Sequence, residues 1–376
     1  MSAPGVREAV HRYFMQGAIE LARRGWYTTR PNPRVGCILV ADERIIGEGW
    51  HERAGEGHAE RRALDDAAGR GHATRGATAY VTLEPCSHVG RTAPCTEALI
   101  EAGVSRVVIG AGDPNPAVDG RGVSALRAAG IDVVTGVLAD RCRELNPGFN
   151  RRMTSGRPRV RVKLAMSLDG RTAAANGESQ WITGEAARAD VHRLRAESGA
   201  VLVGRGTRQA DDPSLTVRLD GEWPQPLRVV VDTHLEITPA ARMLEPPGAV
   251  RIFTASADDA RIDALERAGA AVERVALAGE GLDLPAVLDS LGAQEINDVL
   301  VEAGPTLAGS LAEAGCVDEY LLYMAPMLIG DTGRGLVHLP GANRLADARP
   351  LEIIAVEPVG SDWRIRARPA AADNRN

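Results

Sequence analysis

The sequence has few aromatic residues and no excess of positive charge. Phe, Trp and Tyr together make up 3% of the chain, and 44 Lys and Arg stand against 50 Asp and Glu, a formal charge of -6. A chain without excess positive charge gains little affinity for a phosphate backbone, and few aromatics weaken any platform for stacking bases. We therefore expect small-molecule partners and no nucleic acid.

Long apolar segments, an export signal and an even set of cysteines are also missing. No window approaches 18 consecutive apolar residues, so a membrane span is not expected. Residues 6–24 resemble an amphipathic helix rather than a signal peptide. The five cysteines, at positions 37, 86, 95, 142 and 316, indicate reduced thiols rather than a disulfide framework. These features predict a cytoplasmic protein without membrane contact.

The length and the rhythm of the sequence predict two domains. A chain of 376 residues exceeds the roughly 250–300 at which a single core stops growing. Strands alternate with helices in both halves, which predicts an α/β fold. Asn146-Pro147-Gly148 and Gly156-Arg157-Pro158 supply turn residues between the halves. We therefore expect one domain over residues 1–150 and another over residues 151–376.

Hydrophobic periodicity predicts the individual elements. In the first domain, strands are expected at residues 35–40, 45–46, 79–83, 106–109 and 131–134, and helices at 58–68, 95–102 and 123–129. In the second, strands are expected at 160–165, 200–203, 227–231, 250–253, 298–301 and 319–323, and helices at 185–198, 260–268, 284–291 and 306–314.

Two short segments of the first domain carry residues that bind metals. One contains His58-Ala59-Glu60, and the other contains Cys86 and, nine positions later, Cys95. One imidazole and two thiolates can bind Zn²⁺ and leave a fourth position for water, which is the arrangement of a catalytic site. Zinc lowers the pKa of that water, and Glu60 is the candidate carboxylate for moving the proton.

Helix geometry sets a condition on this site. Positions two apart on a helix point to nearly opposite sides, so His58 and Glu60 share a site only if His58 lies at or before the first turn. Cys95 precedes a predicted helix, where the N-terminal dipole favours a thiolate. The alternatives are a closed structural zinc site with His88 as fourth ligand, and a plain helix start beside two buried thiols.

The spacing of the two cysteines separates this site from the nucleic-acid deaminases. In the signature of those enzymes two residues lie between the cysteines, whereas eight lie between Cys86 and Cys95. With this spacing, His58-Ala59-Glu60, Gly49-Trp50-His51 and the segment from Pro31 to Gly36, the sequence resembles the bifunctional riboflavin biosynthesis proteins. In these, a pyrimidine deaminase is fused to a 5-amino-6-(5-phosphoribosylamino)uracil reductase. The resemblance covers nearly the whole chain, and Ala93, where a proline is expected, is a minor departure.

The resemblance implies a cytidine-deaminase-like three-layer α/β/α domain at residues 1–150. It implies that His58, Cys86 and Cys95 hold one Zn²⁺ and that Glu60 shuttles the proton. The implied substrate is 2,5-diamino-6-(5-phosphoribosylamino)pyrimidin-4(3H)-one, and the loop Gly90-Arg91-Thr92 could reach its phosphate. Asn32 either reads the pyrimidine edge or shapes a Pro-Asn-Pro turn, and His51 and His88 either lie near the pocket or are ordinary surface residues.

The second half has two glycine turns after predicted strands. Gly204-Arg205-Gly206 begins a dinucleotide fingerprint, but Gln209 stands in place of its third glycine. Gly304-Pro305 follows a strand and opens a helix, where exposed N–H groups bind phosphate. Each is more often a plain strand–helix turn. Residues 163–170, 177–183 and 210–218 resemble the reductase half of the same family, which implies a dihydrofolate-reductase-like α/β domain that uses NADPH. Asp232 after a strand could be misread as a ribose-binding acid favouring NAD.

The resemblance also assigns residues to the reductase. The implied NADPH contacts are Ala165, Trp181, Thr207, Asp211, Thr233, Gly304, Pro305, Thr306 and Leu307. The implied substrate contacts are Ser179, Arg195, Leu215, Arg218 and Glu302. Forked donors on the two arginines suit a phosphate, and Glu302 can accept from sugar hydroxyls. Trp181 either stacks on a ring or fills core, and Lys163 and Asp211 either assist proton transfer or form an ion pair.

Two rival functions stay open. One is a nucleoside or nucleic-acid zinc deaminase with a structural C-terminal domain, and the other is a zinc-stabilised binding protein without chemistry. We favour a bifunctional enzyme that joins a zinc hydrolase to an NADP-dependent oxidoreductase. The intermediate either passes directly from one site to the other or is released between the two reactions. A homo-oligomer is possible.

Overall fold

The computed structural model describes residues 4–87, 94–116 and 118–370. Its contacts divide the chain into two compact units, Met1–Gly156 and Arg157–Asn376. Of the two predicted turns, the one at Asn146-Pro147-Gly148 was wrong, since a helix forms at Pro147–Ser155, whereas Gly156-Arg157-Pro158 lies outside the helices and strands, with a φ of 75° at Gly156. Asn146 is the N-cap of that helix and Pro147 its first residue, which is where proline favours a helix.

The first unit contains five strands and six helices in its described residues. The strands are β1 Gly36–Ala41, β2 Arg44–Trp50, β3 Thr78–Leu83, β4 Arg106–Ala111 and β5 Asp132–Thr135. The helices are α1 Pro4–Arg23, α2 Ala59–Gly69, α3 Cys95–Glu101, α4 Arg121–Ala128, α5 Ala139–Arg143 and α6 Pro147–Ser155.

These elements form a three-layer sandwich. The sheet order is β2-β1-β3-β4-β5, with β1 antiparallel to both β2 and β3, and β3, β4 and β5 parallel. One core lies between the sheet and α1, α5 and α6, around Met15 and Ile38. The other lies between the sheet and α2, α3 and α4, around Ala63 and Leu99. The α/β/α prediction is confirmed, and α2 and α3 bring the metal-binding motifs to the second layer.

The second unit is built on one large sheet. Its helices are α7 Glu185–Glu197, α8 Arg205–Asp211, α9 Asp259–Arg267, α10 Leu284–Ala293 and α11 Pro305–Glu313, with 3-10 turns at Arg242–Leu244 and Leu345–Asp347. Its strands are β6 Arg159–Ser167, β7 Arg171–Ala173, β8 Ala200–Gly204, β9 Leu227–Val231, β10 Val250–Thr254, β11 Ala270–Arg274, β12 Leu277–Ala278, β13 Gly281–Leu282, β14 Asp298–Glu302, β15 Glu319–Ala325, β16 Arg334–Gly335, β17 Leu351–Val359 and β18 Asp362–Pro369.

The nine-stranded sheet has the order β11-β10-β9-β8-β14-β6-β15-β18-β17. Its strands run parallel from β11 to β15, β18 is antiparallel to β15, and β17 at the edge is antiparallel to β18. Separate buried clusters cover its two faces, one around Leu202 and Leu311 and the other around Val203 and Ile252. In an open parallel sheet, ligands bind at the carboxyl ends of the strands, so β6, β8, β9 and β14 position the second site.

Over residues 4–87, 94–116 and 118–370, every helix is too short or too polar to span a membrane. All five cysteines are free thiols, as their odd number predicted.

Candidate functional site

Three metal-binding side chains converge in the first unit. His58, Cys86 and Cys95 place their ligand atoms within 4.8 Å of one another. His58 Nδ1 lies 3.2 Å from the Cys95 sulfur and 3.6 Å from the Cys86 sulfur. Nitrogen and sulfur ligands of a tetrahedral zinc, at about 2.0 and 2.3 Å from the metal, lie about 3.5 Å apart. The three side chains therefore fit zinc.

The ends of two helices hold these ligands in place. His58 is the N-cap of α2, in an extended conformation, and therefore meets the condition that the helix sets for sharing a site with Glu60. Cys95 is the first residue of α3, and its backbone N–H donates to the Cys86 sulfur over 3.4 Å. The backbone N–H of Thr96 donates to the Cys86 carbonyl over 3.2 Å, which ties Cys86 to the start of α3.

The electrostatics of the cluster favour one thiolate before any metal binds. Hydrogen bonds from Cys95 and from His58 lower the pKa of Cys86 to about 4, although burial opposes them. The bond to Cys86 raises the pKa of Cys95, and burial adds to the rise. The bond to Cys86 also raises the pKa of His58. Cys86 is thus the first sulfur to ionise, and Zn²⁺ displaces the remaining proton when a second thiolate binds.

Glu60 lies beside the cluster without being a ligand in it. Its side chain is 3% exposed, and burial raises its pKa, with the nearby Cys86 adding to the rise and His58 opposing it. Among the described residues the cluster has three ligands, the number that a catalytic zinc site uses beside its water. His88 and Gly90-Arg91-Thr92 lie outside the described residues.

A second histidine links Asn32 to the cluster. His51 is buried, and its ring lies edge-on to the His58 ring with 5.3 Å between their centres. His51 Nδ1 lies 3.3 Å from the Gly57 carbonyl oxygen, and His51 Nε2 lies 3.1 Å from Asn32 Nδ2. Because Nδ1 then donates, Nε2 accepts from the amide, and the Asn32 oxygen remains available to a ligand. The backbone of Asn32 makes the turn separately, through a bond to Thr29.

A cleft of about 2180 Å³ opens at the carboxyl ends of the strands in the second unit. It exceeds the roughly 300–1,000 Å³ of a usual ligand pocket and has room for a dinucleotide and a second molecule. Every residue that the sequence assigned to the reductase lines this cleft. These are Ala165, Ser179, Trp181, Arg195, Thr207, Asp211, Leu215, Arg218, Thr233, Glu302, Gly304, Pro305, Thr306 and Leu307.

Two glycine turns face each other across one part of the cleft. Gly304 is the N-cap of α11 with Pro305 at the first helical position, as predicted. A Cβ on Gly304 would lie 3.8 Å from the Thr207 hydroxyl, and a Cβ on Gly204 would lie 3.2 Å from Leu307. Exposed N–H groups of α11 and a hydroxyl thus meet where a pyrophosphate can bind, so the residues present fit a dinucleotide. Asp232 is fully buried and accepts from the Ile237 N–H, which fixes it as a turn former.

Arg195 and Glu302 form a buried bidentate ion pair. Arg195 Nε and Nη2 donate to the two carboxylate oxygens over 2.5 and 2.9 Å, and Nη1 donates to the Thr216 carbonyl over 2.9 Å. The sequence offered these two residues separately to a phosphate and a sugar, but in the structure each faces the other. Burial lowers the pKa of Lys163, which lies near this pair, and Arg195 adds to the decrease.

Arg218 and Trp181 are both exposed in the cleft. Arg218 Nη1 donates to the Ser214 hydroxyl over 2.8 Å and to the Thr216 hydroxyl over 3.5 Å, and the exposed guanidinium lines the cleft. Trp181 is 68% exposed, which rules out the core-filling alternative, and the Arg188 guanidinium lies 4.8 Å from its ring centre. Asp211 bonds to Gln180 over 3.0 Å.

Sequence reasoning missed two further residues of this region, His192 and Gln225. Each hydrogen-bonds the backbone of the segment that carries Leu215 and Arg218. Neither stands in a recognisable motif, although His192 lies three positions before Arg195 and therefore on the same face of α7.

Comparisons with known proteins match both units. Residues 158–364 match the RibD C-terminal domain, and residues 8–111 match the cytidine and deoxycytidylate deaminase zinc-binding region. The chain is 49% identical to riboflavin biosynthesis protein RibD of Escherichia coli (strain K12) over 365 residues, which are 93% of this chain and 97% of that one. It is 43% identical to RibD of Bacillus amyloliquefaciens, with 96% of each chain covered.

Solved structures agree with these matches. RibD of Acinetobacter baumannii, form 1, is similar with a TM-score of 0.89 at 43% identity, covering 97% of this chain and 100% of that one. The diaminohydroxyphosphoribosylaminopyrimidine deaminase/5-amino-6-(5-phosphoribosylamino)uracil reductase of Thermotoga maritima is similar with a TM-score of 0.85 at 36% identity, with the same coverage.

Proposed function

The chain belongs to the family of bifunctional riboflavin biosynthesis proteins, and from that premise we propose which of its residues perform each of the two reactions. It is a zinc-dependent deaminase joined to an NADPH-dependent reductase. The deaminase acts on 2,5-diamino-6-(5-phosphoribosylamino)pyrimidin-4(3H)-one, and the reductase converts the ribosyl group of 5-amino-6-(5-phosphoribosylamino)uracil to ribityl. The unit Met1–Gly156 carries the first reaction and Arg157–Asn376 the second.

His58, Cys86 and Cys95 hold the zinc ion, and the convergence of their ligand atoms within 4.8 Å is the observation that carries this assignment. Zinc, when bound, lowers the pKa of water towards neutrality and so supplies hydroxide at neutral pH. Glu60 takes the proton from the attacking water. It gives that proton to the ring nitrogen next to the attacked carbon, then takes the proton of the newly added hydroxyl group and delivers it to the amino group, which leaves as ammonia.

Asn32 orients the pyrimidine in the deaminase site. Its amide nitrogen is engaged by His51, so its oxygen accepts a hydrogen bond from an N–H of the ring edge. The burial of Glu60 and His51 limits competition from bulk water.

The reductase cleft holds the cofactor at the turns that contain Gly204 and Gly304, and the substrate beside the charged side chains. Thr207, Asp211, Thr233 and the Gly304–Leu307 turn bind NADPH, together with Ala165 and Trp181, and NADPH supplies the hydride that reduces ribose C1′. Arg218 binds the substrate phosphate, while Ser179 and Leu215 contact the rest of the substrate. Arg195 holds Glu302 in one orientation, so that Glu302 can accept from ribose hydroxyls beside Lys163.

The exposed edge of β17 offers a surface for self-association. Ile353 and Val356 are 63% and 50% exposed on this outermost strand, whose free backbone groups can pair with a second copy about a two-fold axis. Light scattering on the purified protein would then give twice the 39.8 kDa of one chain, and a mass of one chain would contradict the proposal.

One incubation tests the proposed function. The purified protein is mixed with the diaminopyrimidinone phosphate and NADPH, and ammonia release and NADPH oxidation are followed together. We expect ammonia to appear first and NADPH to be consumed after a lag, because the reductase needs the deaminated product. Ammonia release without NADPH oxidation, when the deaminated intermediate is supplied directly, would favour a deaminase with a structural second unit.

A further inference from the structure

The segment that carries Leu215 and Arg218 has no strand or helix of its own. Residues 212–218 lie outside every regular element, and Leu215 adopts a positive φ of 55° while being buried. A buried backbone without regular structure must find other partners for its polar groups. In this segment, side chains from elsewhere in the unit supply them.

Three side chains hold this segment. Arg195 donates to the Thr216 carbonyl over 2.9 Å. Gln225 accepts from the Val217 N–H over 2.8 Å and donates to the Val217 carbonyl over 3.3 Å. His192 Nδ1 accepts from the Arg218 N–H over 3.2 Å. His192 therefore holds the segment at the residue whose guanidinium opens to the cleft.

We propose that His192 is a positioning residue of the reductase, which fixes the backbone of Arg218 through Nδ1 so that the guanidinium is held ready for the substrate phosphate. This inference rests on the proposed role of Arg218. It concerns how that role is prepared, because a guanidinium on an untethered segment would lose conformational freedom each time a substrate bound.

The surroundings of His192 keep the ring in the form that this role needs. Burial lowers the pKa of His192 to about 4, Arg195 and Arg218 add to the decrease, and Glu302 and the Thr216 backbone oppose it. At neutral pH the ring is therefore neutral. Because Nδ1 accepts from the Arg218 N–H, the single ring proton sits on Nε2.

Three substitutions separate the two ring nitrogens. His192→Phe keeps the ring shape and removes both nitrogens. His192→Asn places an amide oxygen near the position of Nδ1, and His192→Gln places its amide near the position of Nε2. For each variant, kcat and the KM values for 5-amino-6-(5-phosphoribosylamino)uracil and for NADPH are measured, with ammonia release by the deaminase unit as the reference for protein quality.

We expect His192→Phe to raise the substrate KM about tenfold, which corresponds to the loss of one hydrogen bond, and to leave the KM for NADPH within about twofold. His192→Asn should return the substrate KM to within about threefold of the starting protein, and His192→Gln should not. Restoration by Gln but not by Asn would overturn the proposal, since Nε2 would then be the working atom. An unchanged substrate KM in His192→Phe would overturn it as well.

Two further variants keep the test decisive. Gln225→Leu removes another of the contacts that hold residues 212–218 and leaves His192 unchanged. We therefore expect it to raise the substrate KM and leave the KM for NADPH unchanged, which tests the proposal even if His192→Phe folds poorly. Arg218→Met tests the proposed phosphate contact itself. An unchanged substrate KM in Arg218→Met would show that Arg218 does not bind the substrate phosphate. A substrate KM that rises in Arg218→Met but in neither His192→Phe nor Gln225→Leu would overturn only the positioning role of His192.

Discussion

At the scale of single residues, a neutral, half-buried His192 makes the stability of the second unit depend on pH. Its pKa is about 4 when folded, against an ordinary value of 6.5, so the folded ring binds fewer protons than the unfolded one between these values. Its contribution to stability is present above about pH 6.5 and is lost as the pH falls towards 4. Arg195 and Arg218 favour the neutral ring, and Glu302 opposes them.

His192→Asn keeps the hydrogen bond to Arg218 but cannot titrate. We therefore expect the fall in Tm of the reductase unit between pH 7 and pH 5 to be smaller in this variant, by a few degrees at most because the ring is partly solvated. Scanning calorimetry at the two pH values measures the difference. The lowered pKa values of His11 and His51 affect both proteins equally. Equal falls in Tm would contradict the assignment of a depressed pKa to His192.

Single functional residues could be predicted from the sequence more easily than the pairs that they form. His58, Cys86 and Cys95 could be recognised because the chemistry of zinc restricts ligand types and the spacing is distinctive. Arg195 and Glu302 were both assigned to the substrate, but no local pattern indicates that residues 107 positions apart form a bidentate pair. Such long-range contacts follow from the packing of α7 against β14, which the sequence does not specify.

At the scale of elements, buried strands were the easiest to predict and exposed ones the hardest. The run Leu227–Val231 is β9 at its predicted bounds, because a buried parallel strand is a continuous apolar run. The hairpin β17–β18 was missed. Arg364, Arg366 and Arg368 alternate along β18, with acidic partners such as Glu357, Glu319 and Glu352 on neighbouring strands. This alternation of charge has the period of a strand and could have revealed it.

The contact between α2 and β2 determines where the metal ligands lie. A Cβ on Gly49 would overlap the Ala59 carbonyl oxygen and the Ala63 amide nitrogen of α2. Glycine is therefore required at this point for the helix to lie on the strand and for its N-terminus to present His58 and Glu60. The positions of His58 and Glu60 therefore depend on β2, a strand to which neither residue belongs.

Gly49→Ala should displace the N-terminus of α2. We expect it to lower the free energy of unfolding by about 1–3 kcal/mol and to reduce the zinc retained after dialysis. Gly69→Ala is the matched control, because a Cβ there, at the last residue of the same helix, meets nothing within 4 Å. Urea unfolding and metal analysis measure both effects. A Gly49→Ala protein that retains zinc as the Gly69→Ala protein does would show that the close packing does not control the site.

At the scale of the whole molecule, two units with separate sheets carry separate chemistries. The five-stranded sheet places a metal cluster at the ends of two helices, and the nine-stranded sheet opens a cleft at the carboxyl ends of its strands. The α/β class and the presence of two domains follow from element order and chain length. The strand order does not, because β14 enters between β8 and β6 after five intervening strands.

The central claim is that three protein ligands hold a zinc with an open position beside a carboxylate that is not a ligand. Its most direct test is to measure zinc content and ammonia release together in the starting protein, in Glu60→Gln and in Cys86→Ser. We expect one zinc per chain in the starting protein and in Glu60→Gln, and less in Cys86→Ser. The starting protein should release ammonia, Cys86→Ser should release none, and the rate of ammonia release by Glu60→Gln should be at least about 100-fold lower than that of the starting protein. Ammonia release at the full rate from Glu60→Gln, or from zinc-free Cys86→Ser, would contradict the account.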